Sequence, residues 1–195
     1  MKPRSRLILA SGSSGRRELL AKAGWPFVAM PSGIEEPEGV GVTDPRPFVH
    51  DLAWRKAAAV AARVSEPALV IAADSVVWHD GAIIGKPSDE PDARRILGRL
   101  AGTTHELWTG VCVWRRPDDL QVCWQELSRV RMRPLAPSEL EQLVATRDWE
   151  GKSGGYGIQG EADPYLTVET GTLSNVVGLP MESLAQVVAL LDGQA

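Results

Sequence analysis

The chain has 195 residues, 44% of them hydrophobic, with a net charge of −4 and an isoelectric point near 5.4. That length and apolar content suit a single domain over residues 1–195 with a sizeable core. A mildly acidic chain without a basic block does not suit a polymeric nucleic acid, whereas a single nucleotide needs only a local basic pocket.

The opening stretch, MKPRSRLILASGS, has basic residues followed by only four consecutive apolar ones. That is too short for a signal-peptide core or a spanning helix, so no membrane segment is expected and the cytoplasm is the expected compartment. Arg6–Ala10 then predicts a first strand. It runs into Ser11-Gly12-Ser13-Ser14-Gly15, which opens a helix over Arg16–Ala23, stopped by Gly24 with Pro26 beyond. Backbone N–H groups at a helix start bind anions, and Arg16 or Arg17 adds donors. The same residues equally describe a capped helix with two solvated arginines. Trp25–Met30 is a second short strand. Residues 31–47 form a Pro/Gly/acid-rich loop carrying Glu35, Glu36 and Glu38. A helix is predicted over Pro47–Val64, where Lys56 by itself reads as a snorkelling surface residue.

The central stretch is Leu69 to Pro87, LVIAADSVVWHDGAIIGKP. Leu69–Ala73 suits a buried strand that ends at Asp74 and Ser75. Val76-Val77-Trp78 follows, then the hairpin signal Asp80-Gly81, the return strand Ala82–Ile84, and Gly85-Lys86-Pro87. The hairpin brings Lys86 back toward Asp74. An acid at the end of a buried strand beside a lysine suits metal and phosphate chemistry, and it also describes a plain surface pair.

Further on, Glu90–Leu100 predicts a helix ending at Gly102. Thr103–Trp114 and Leu120–Met132 predict paired strands across RRPDD. Cys112 and Cys123 fit no zinc spacing and read as reduced, half-buried thiols. A turn centred on Pro117-Asp118 makes them face each other. A helix over Pro137–Ala145, a glycine-rich segment Gly151–Gly160, a strand Tyr165–Glu169 and a closing helix Leu179–Leu191 with Pro180 in its first turn complete the chain. Strands and helices alternate first and a hairpin is inserted later, which predicts a mixed α/β sheet rather than a parallel one.

Several motifs fail on context. Gly155-Tyr-Gly157-Ile-Gln-Gly160 matches G-x-G-x-x-G but does not join a strand to a helix. Gly151-Lys152-Ser153 resembles the end of a P-loop, with Thr146 where that loop requires glycine. Gly151-Lys-Ser153-Gly-Gly155 has the letters of G-x-S-x-G but is no strand-to-helix elbow. His50, His79 and His105 are dispersed and read as structural or exposed. Carboxylates, lysines and arginines remain, an inventory that suits magnesium or manganese and phosphate.

Together these segments resemble the Maf family of nucleoside triphosphate pyrophosphatases. The matching stretches are Leu7–Ser13 with Arg16-Arg17-Glu-Leu-Leu20, Ser32-Gly-Ile-Glu-Glu36, Leu52-Ala-Trp-Arg-Lys56-Ala, Ala73–Val77, Gly85-Lys86-Pro87, Leu100–Glu106 with Thr109-Gly110, Gly151–Gly160 and Val176–Pro180. They run in family order over nearly the whole chain. The resemblance implies a central mixed β-sheet flanked by helices, with a cleft between two lobes, as in inosine triphosphatase-like enzymes. It implies hydrolysis of a nucleoside triphosphate between the α and β phosphates, a divalent metal (magnesium or manganese), commonly a homodimer, and a link to septum formation. By motif position it makes Asp74 the catalytic acid and metal ligand and Glu36 a second metal-holding acid. It makes Ser11, Arg16, Lys56 and Lys86 phosphate-facing, and ties Ser75 and Gln159 to base choice.

Two positions depart from the pattern. Many members open with S-x-S-P-R-R, whereas this chain has Ser14 for the proline and Gly15 for the first arginine. That arginine belongs, with a threonine and a glutamine, to the set of members preferring dTTP and UTP. Here the set reads Gly15, Ser75 and Gln159, and the tryptophan, glutamine and glutamate of 7-methyl-GTP-type members do not occur there. The pattern therefore leans to pyrimidine triphosphates. The competing readings are a nucleotide-binding regulator of division without turnover, a phosphatase releasing orthophosphate, and a structural protein.

Overall fold

The computed structural model describes residues 2–158, 160 and 162–193. Gln159 lies outside the described residues. The first strand, β1 (Leu7–Leu9), is three apolar residues with almost no solvent exposure. Helix α1 (Ser14–Lys22) begins where the Ser13 hydroxyl accepts from the Arg16 N–H at 3.4 Å. Strand β2 (Phe27–Ala29) is shorter than its sequence suggested. Helix α2 (Pro45–Ala61) starts two residues earlier than the hydropathy pattern implied. The reason is local: the Asp44 carboxylate caps Arg46 N at 3.0 Å, and Pro45 and Pro47 fall in the first turn, where a missing N–H costs nothing.

The main departure from expectation is strand β3. It runs without a break from Ala68 to His79, so Asp74 and Ser75 lie mid-strand and do not terminate it. The partners explain this. On one edge β3 pairs antiparallel with β5 (Thr104–Arg116) from Ala68 to Trp78, so the backbone at Asp74 is held opposite Gly110. On the other edge it pairs parallel with β1 only over Leu69–Ile71, and antiparallel with β4 (Ala82–Ile84) only over Val77–His79. Between Ile71 and Val77 no strand among the described residues covers that edge. Strands β6 (Gln121–Met132) and β7 (Leu166–Thr170) extend the sheet beyond β5. The order is β2-β1-β3-β5-β6-β7 with β4 beside β3, a mixed, open sheet.

Side-chain alternation divides the core. On one face Leu7, Leu9, Leu69, Ile71 and Ala73 pack against α6 (Met181–Gly193) and Leu20. On the other face Ile8, Val70 and Ala72 pack against Ala53, Ala57 and Val60 of α2. A third cluster lies past the gap in the β3 edge, where Val77 and Ile84 meet Ile96, Leu97 and Leu100 of α3 (Glu90–Leu100) and Val144 of α4 (Pro137–Ala145). Helix α5 (Leu173–Val177) is a short element with no periodicity to announce it. Thr172 caps it, and Gly178, at φ +111°, ends it before Pro180. Cys112 and Cys123 are directly opposed across β5 and β6 as free thiols, Cys112 buried and Cys123 half-buried. Among the described residues no helix is long and apolar enough to cross a membrane.

Helix α2 lies close on the sheet because Gly110 has no side chain. A Cβ there would overlap the Val49 carbonyl and crowd the His50 N–H. Gly110→Ala is expected to push α2 off β5 and to lower stability by about 1–3 kcal/mol, the usual cost of overpacking. A thermal or urea unfolding midpoint equal to wild type would contradict this account of the α2 seat.

Candidate active site

The two faces of β3 carry the two halves of the site. Asp74 has the parity of Val70 and Ala72, so its side chain projects to the α2 face. There Lys56, one residue before the buried Ala57, meets it: Nζ donates to Asp74 Oδ1 at 2.6 Å. Lys56 is only 5% exposed and Asp74 only 7%. The snorkelling reading of Lys56 is therefore wrong. Its partner is buried in the same place, and an unpaired ammonium there would be costly.

The loop before α2 adds a second acid. Glu36 Oε1 lies 2.6 Å from the same Lys56 Nζ, and Glu36 Oε2 accepts from Lys86 Nζ at 3.2 Å. Partial burial pushes the Glu36 carboxyl up, but hydrogen bonds and charge from Lys56 and Lys86 outweigh that and hold it below its usual value. Lys86 follows the return strand of the hairpin and remains about half exposed. The chain Asp74–Lys56–Glu36–Lys86 thus joins β3, α2, the acidic loop and the end of β4.

Ser75 has the opposite parity and faces α1 and α5. Its hydroxyl lies 2.9 Å from Thr109 Oγ1 and accepts from Arg16 Nη2 at 3.1 Å. Arg16 also donates from Nη1 to Ser11 Oγ at 3.2 Å and from Nε to the Gly178 carbonyl at 2.7 Å. Three of the five guanidinium N–H donors are thereby committed among the described residues, and the rest remain for an anion. Burial lowers the Arg16 pKa, opposed by the charges of Asp74 and Glu36. Gly178 adjoins both Arg16 and Ser75, a Cβ there standing 3.4 Å from Arg16 Nε and Ser75 Oγ, and its φ of +111° is what disfavours a side chain. Thr109 and Gly178 are members of this cluster that sequence reasoning gave no role. Their only signal was membership of the matching segments.

Ser11, Arg16, Glu36, Lys56, Asp74, Ser75 and Lys86 all line one cleft of about 1100 Å³. That is room for a nucleotide. Its far wall is the segment around the 3-10 turn Ser153–Gly155, including Tyr156 and Ile158. Tyr156 is anchored there by its hydroxyl, 2.6 Å from His105 Nε2. Burial, with the nearby charge of His79, pulls the His105 pKa down to about 4, so it is neutral near pH 7. The expectation that His105 is structural agrees with this position. Gly15 also lines the cleft, and a Cβ there would come within 2.9 Å of Val177 Cγ1. A longer side chain at 15 requires Val177 to move.

Among the described residues no group of three or more His, Cys, Asp or Glu side chains is placed to hold a metal. Glu36 and Asp74, however, converge on one cation, the Lys56 ammonium. Two convergent carboxylates, completed by substrate phosphates and water, match the way magnesium is usually held beside phosphate.

An open mixed sheet with an acid–lysine cluster at a gap in its edge defines an α/β nucleotide-cleft architecture. It is the fold of the Ham1 proteins. The Staphylococcus aureus Ham1 structure superposes with a TM-score of 0.52 at 14% identity, covering 97% of this chain and 100% of that one. The Coxiella burnetii HAM1 protein gives 0.50 at 14% identity, covering 98% and 100%. Residues 6–191 match the family model described as Maf-like protein, and the chain belongs to that family. A relative from Cereibacter sphaeroides named dTTP/UTP pyrophosphatase is 42% identical over 186 residues, 94% of this chain and 93% of that protein. One of the same name from Pelotomaculum thermopropionicum is 41% identical over 179 residues, 92% and 93% of the two chains.

Because the folded state holds the Glu36 pKa below its ordinary 4.5, the stability this provides is complete above that value and is lost as pH falls through the lower one. Glu36→Gln is expected to flatten the drop in melting temperature between about pH 5 and pH 3. An unchanged drop would place the acid sensitivity elsewhere.

Proposed function

We propose that this protein is a nucleoside triphosphate pyrophosphatase, hydrolysing its substrate between the α and β phosphates to a monophosphate and pyrophosphate. The observation that carries the reading is the buried Asp74–Lys56 pair, joined by the exposed Glu36, at the edge of β3 between β1 and β4 and lining a nucleotide-sized cleft. A packing role does not explain two carboxylates and an ammonium concentrated there, since a buried ion pair is weak evidence of stabilisation. Family membership and the names of the relatives point the same way.

Arg16, Lys56 and Lys86 line the cleft together with Glu36 and Asp74. A triphosphate brings several negative charges, which those three cations would face. A divalent cation, magnesium or manganese, held by Glu36 and Asp74 would neutralise further phosphate charge and polarise the reacting phosphoryl group. Asp74 is oriented by the 2.6 Å contact with Lys56. In that state it accepts a proton from the water that attacks the α-phosphorus. Pyrophosphate leaves against Lys86 and Arg16. The Ser75 hydroxyl, held between Arg16 and Thr109, and Gln159 would meet the nucleoside end. We propose dTTP and UTP as the preferred substrates, following the relatives' names, with Gly15 in place of the arginine that opens that set.

A panel of nucleoside triphosphates with magnesium, scored for pyrophosphate against orthophosphate, tests the reading directly. Release of orthophosphate alone, or no turnover of any triphosphate, would overturn it. Asp74→Asn is expected to reduce turnover at least roughly a hundredfold while the protein stays folded. Lys86→Ala is expected to weaken triphosphate binding about tenfold and monophosphate binding much less. Equal losses for both ligands would remove Lys86 from the outer phosphates.

A further inference from the structure

The 3-10 turn Ser153–Gly155 is fastened to the β3–β4 hairpin in a way the reaction scheme above does not use. The hairpin turns at Asp80 and Gly81, whose φ values of +51° and +73° mark a two-residue turn of the primed kind. Counting back from such a turn, His79–Ala82 falls at a hydrogen-bonding site of the ladder, Trp78–Ile83 does not, and Val77–Ile84 falls at the next such site. Val77–Ile84 is the last pair of the ladder, and Gly85-Lys86 follows it. At that last pair the Ser153 hydroxyl accepts from Val77 N at 3.0 Å and donates to the Ile84 carbonyl at 2.6 Å. One side chain from another part of the chain therefore bridges the two backbone groups at the mouth of the hairpin.

The next residues continue the grip. Gly154 N donates to the Gly85 carbonyl at 3.1 Å. Gly154 has φ +77°, and a Cβ on it would lie 2.8 Å from Val77 Cγ2. A Cβ on Gly155 would lie 3.0 Å from Pro87 Cγ. Lys86 is thus bracketed by two residues, Gly85 and Pro87, that the turn touches. Gly85 itself has open space around it, so its own sterics do not fix the direction in which the chain leaves β4.

We infer that Ser153 is a positioning residue: its hydroxyl sets where the hairpin ends, and so where Lys86 stands relative to Glu36 and Asp74. The inference rests on the pyrophosphatase reading, in which Lys86 faces the outer phosphates. The segment that supplies Ser153 continues into Tyr156 and Ile158, which line the same cleft as Lys86.

The test is a double-mutant cycle on the kinetics of the purified protein with its preferred triphosphate and magnesium. Ser153→Ala is expected to raise KM about tenfold and to leave kcat within about threefold, since it moves a binding group and leaves Asp74 and Lys56 in place. In a Lys86→Ala background the same change is expected to shift KM less than about twofold, because the group it positions is gone. Ser153→Cys, similar in size with a weaker donor, is expected to give an intermediate KM, and it carries the cycle if the alanine variant does not fold. Equal KM shifts in the two backgrounds would reduce Ser153 to general structural support. Wild-type KM in either Ser153 variant would overturn the inference, and so would a fall in kcat at constant KM. A wild-type protein that releases no pyrophosphate would instead remove the functional reading itself, before any variant is compared.

Discussion

The site depends on a constraint of sheet construction. β3 is long and fully paired on one edge, but its other edge is shared by two short strands that approach from opposite directions and leave a gap. Unpaired edge is ordinarily a liability. Here it is confined to a few residues and covered by side chains and loops. Because successive residues point to opposite faces, two adjacent polar residues in that gap can serve both sides of the sheet: Asp74 reaches Lys56 on one, Ser75 reaches Arg16 on the other. A helix terminus or a flexible loop would not present two neighbouring side chains to opposite layers with a rigid backbone between them.

This geometry also explains what the sequence disclosed and what it concealed. Hydrophobic runs marked β1, β3, β5 and β6, because their buried residues leave a continuous apolar pattern. The same rule misplaced the end of β3, since Asp74-Ser75 looks like a stop and is in fact a polar insertion in a strand held by β5 on its far side. Helix α5 went unseen because five residues carry no period. Lys56 shows the limit of local reading most clearly. On its own helix it is indistinguishable from a surface lysine, and only the parity of a strand eighteen residues later buries it against a carboxylate. The strand, acid and hairpin pattern singled out Asp74 and Lys86, and the motif resemblance added Glu36 and Lys56. The Ser153 bridge is invisible in sequence, because a hydroxyl that completes another element's ladder has no pattern of its own.

Burial decides which ion pairs in the cluster are fixed and which are open to exchange. Lys56 and Asp74 are both nearly inaccessible, and separating such a pair costs about 3–5 kcal/mol when one partner is left uncompensated. The Lys86–Glu36 contact is about half exposed on the lysine side, and pairs of that kind are worth about 1 kcal/mol or less. An arriving polyphosphate would therefore displace Glu36 from Lys86 at little cost, while Lys56 would stay on Asp74. The cluster divides into a fixed part that defines the acid and an exchangeable part that greets the ligand.

That division places a demand on Lys86. A cation that is free to exchange partners is useful only if its backbone anchor is not equally free, and the residue before it, Gly85, has no steric preference that would hold it. The Ser153 hydroxyl and the Gly154 N–H supply the missing restraint from outside the hairpin. The long, mobile lysine side chain then sweeps from a fixed point. The fold thus uses two different means to place its two lysines: Lys56 by burial against a buried acid, Lys86 by backbone hydrogen bonds at the base of an exposed side chain.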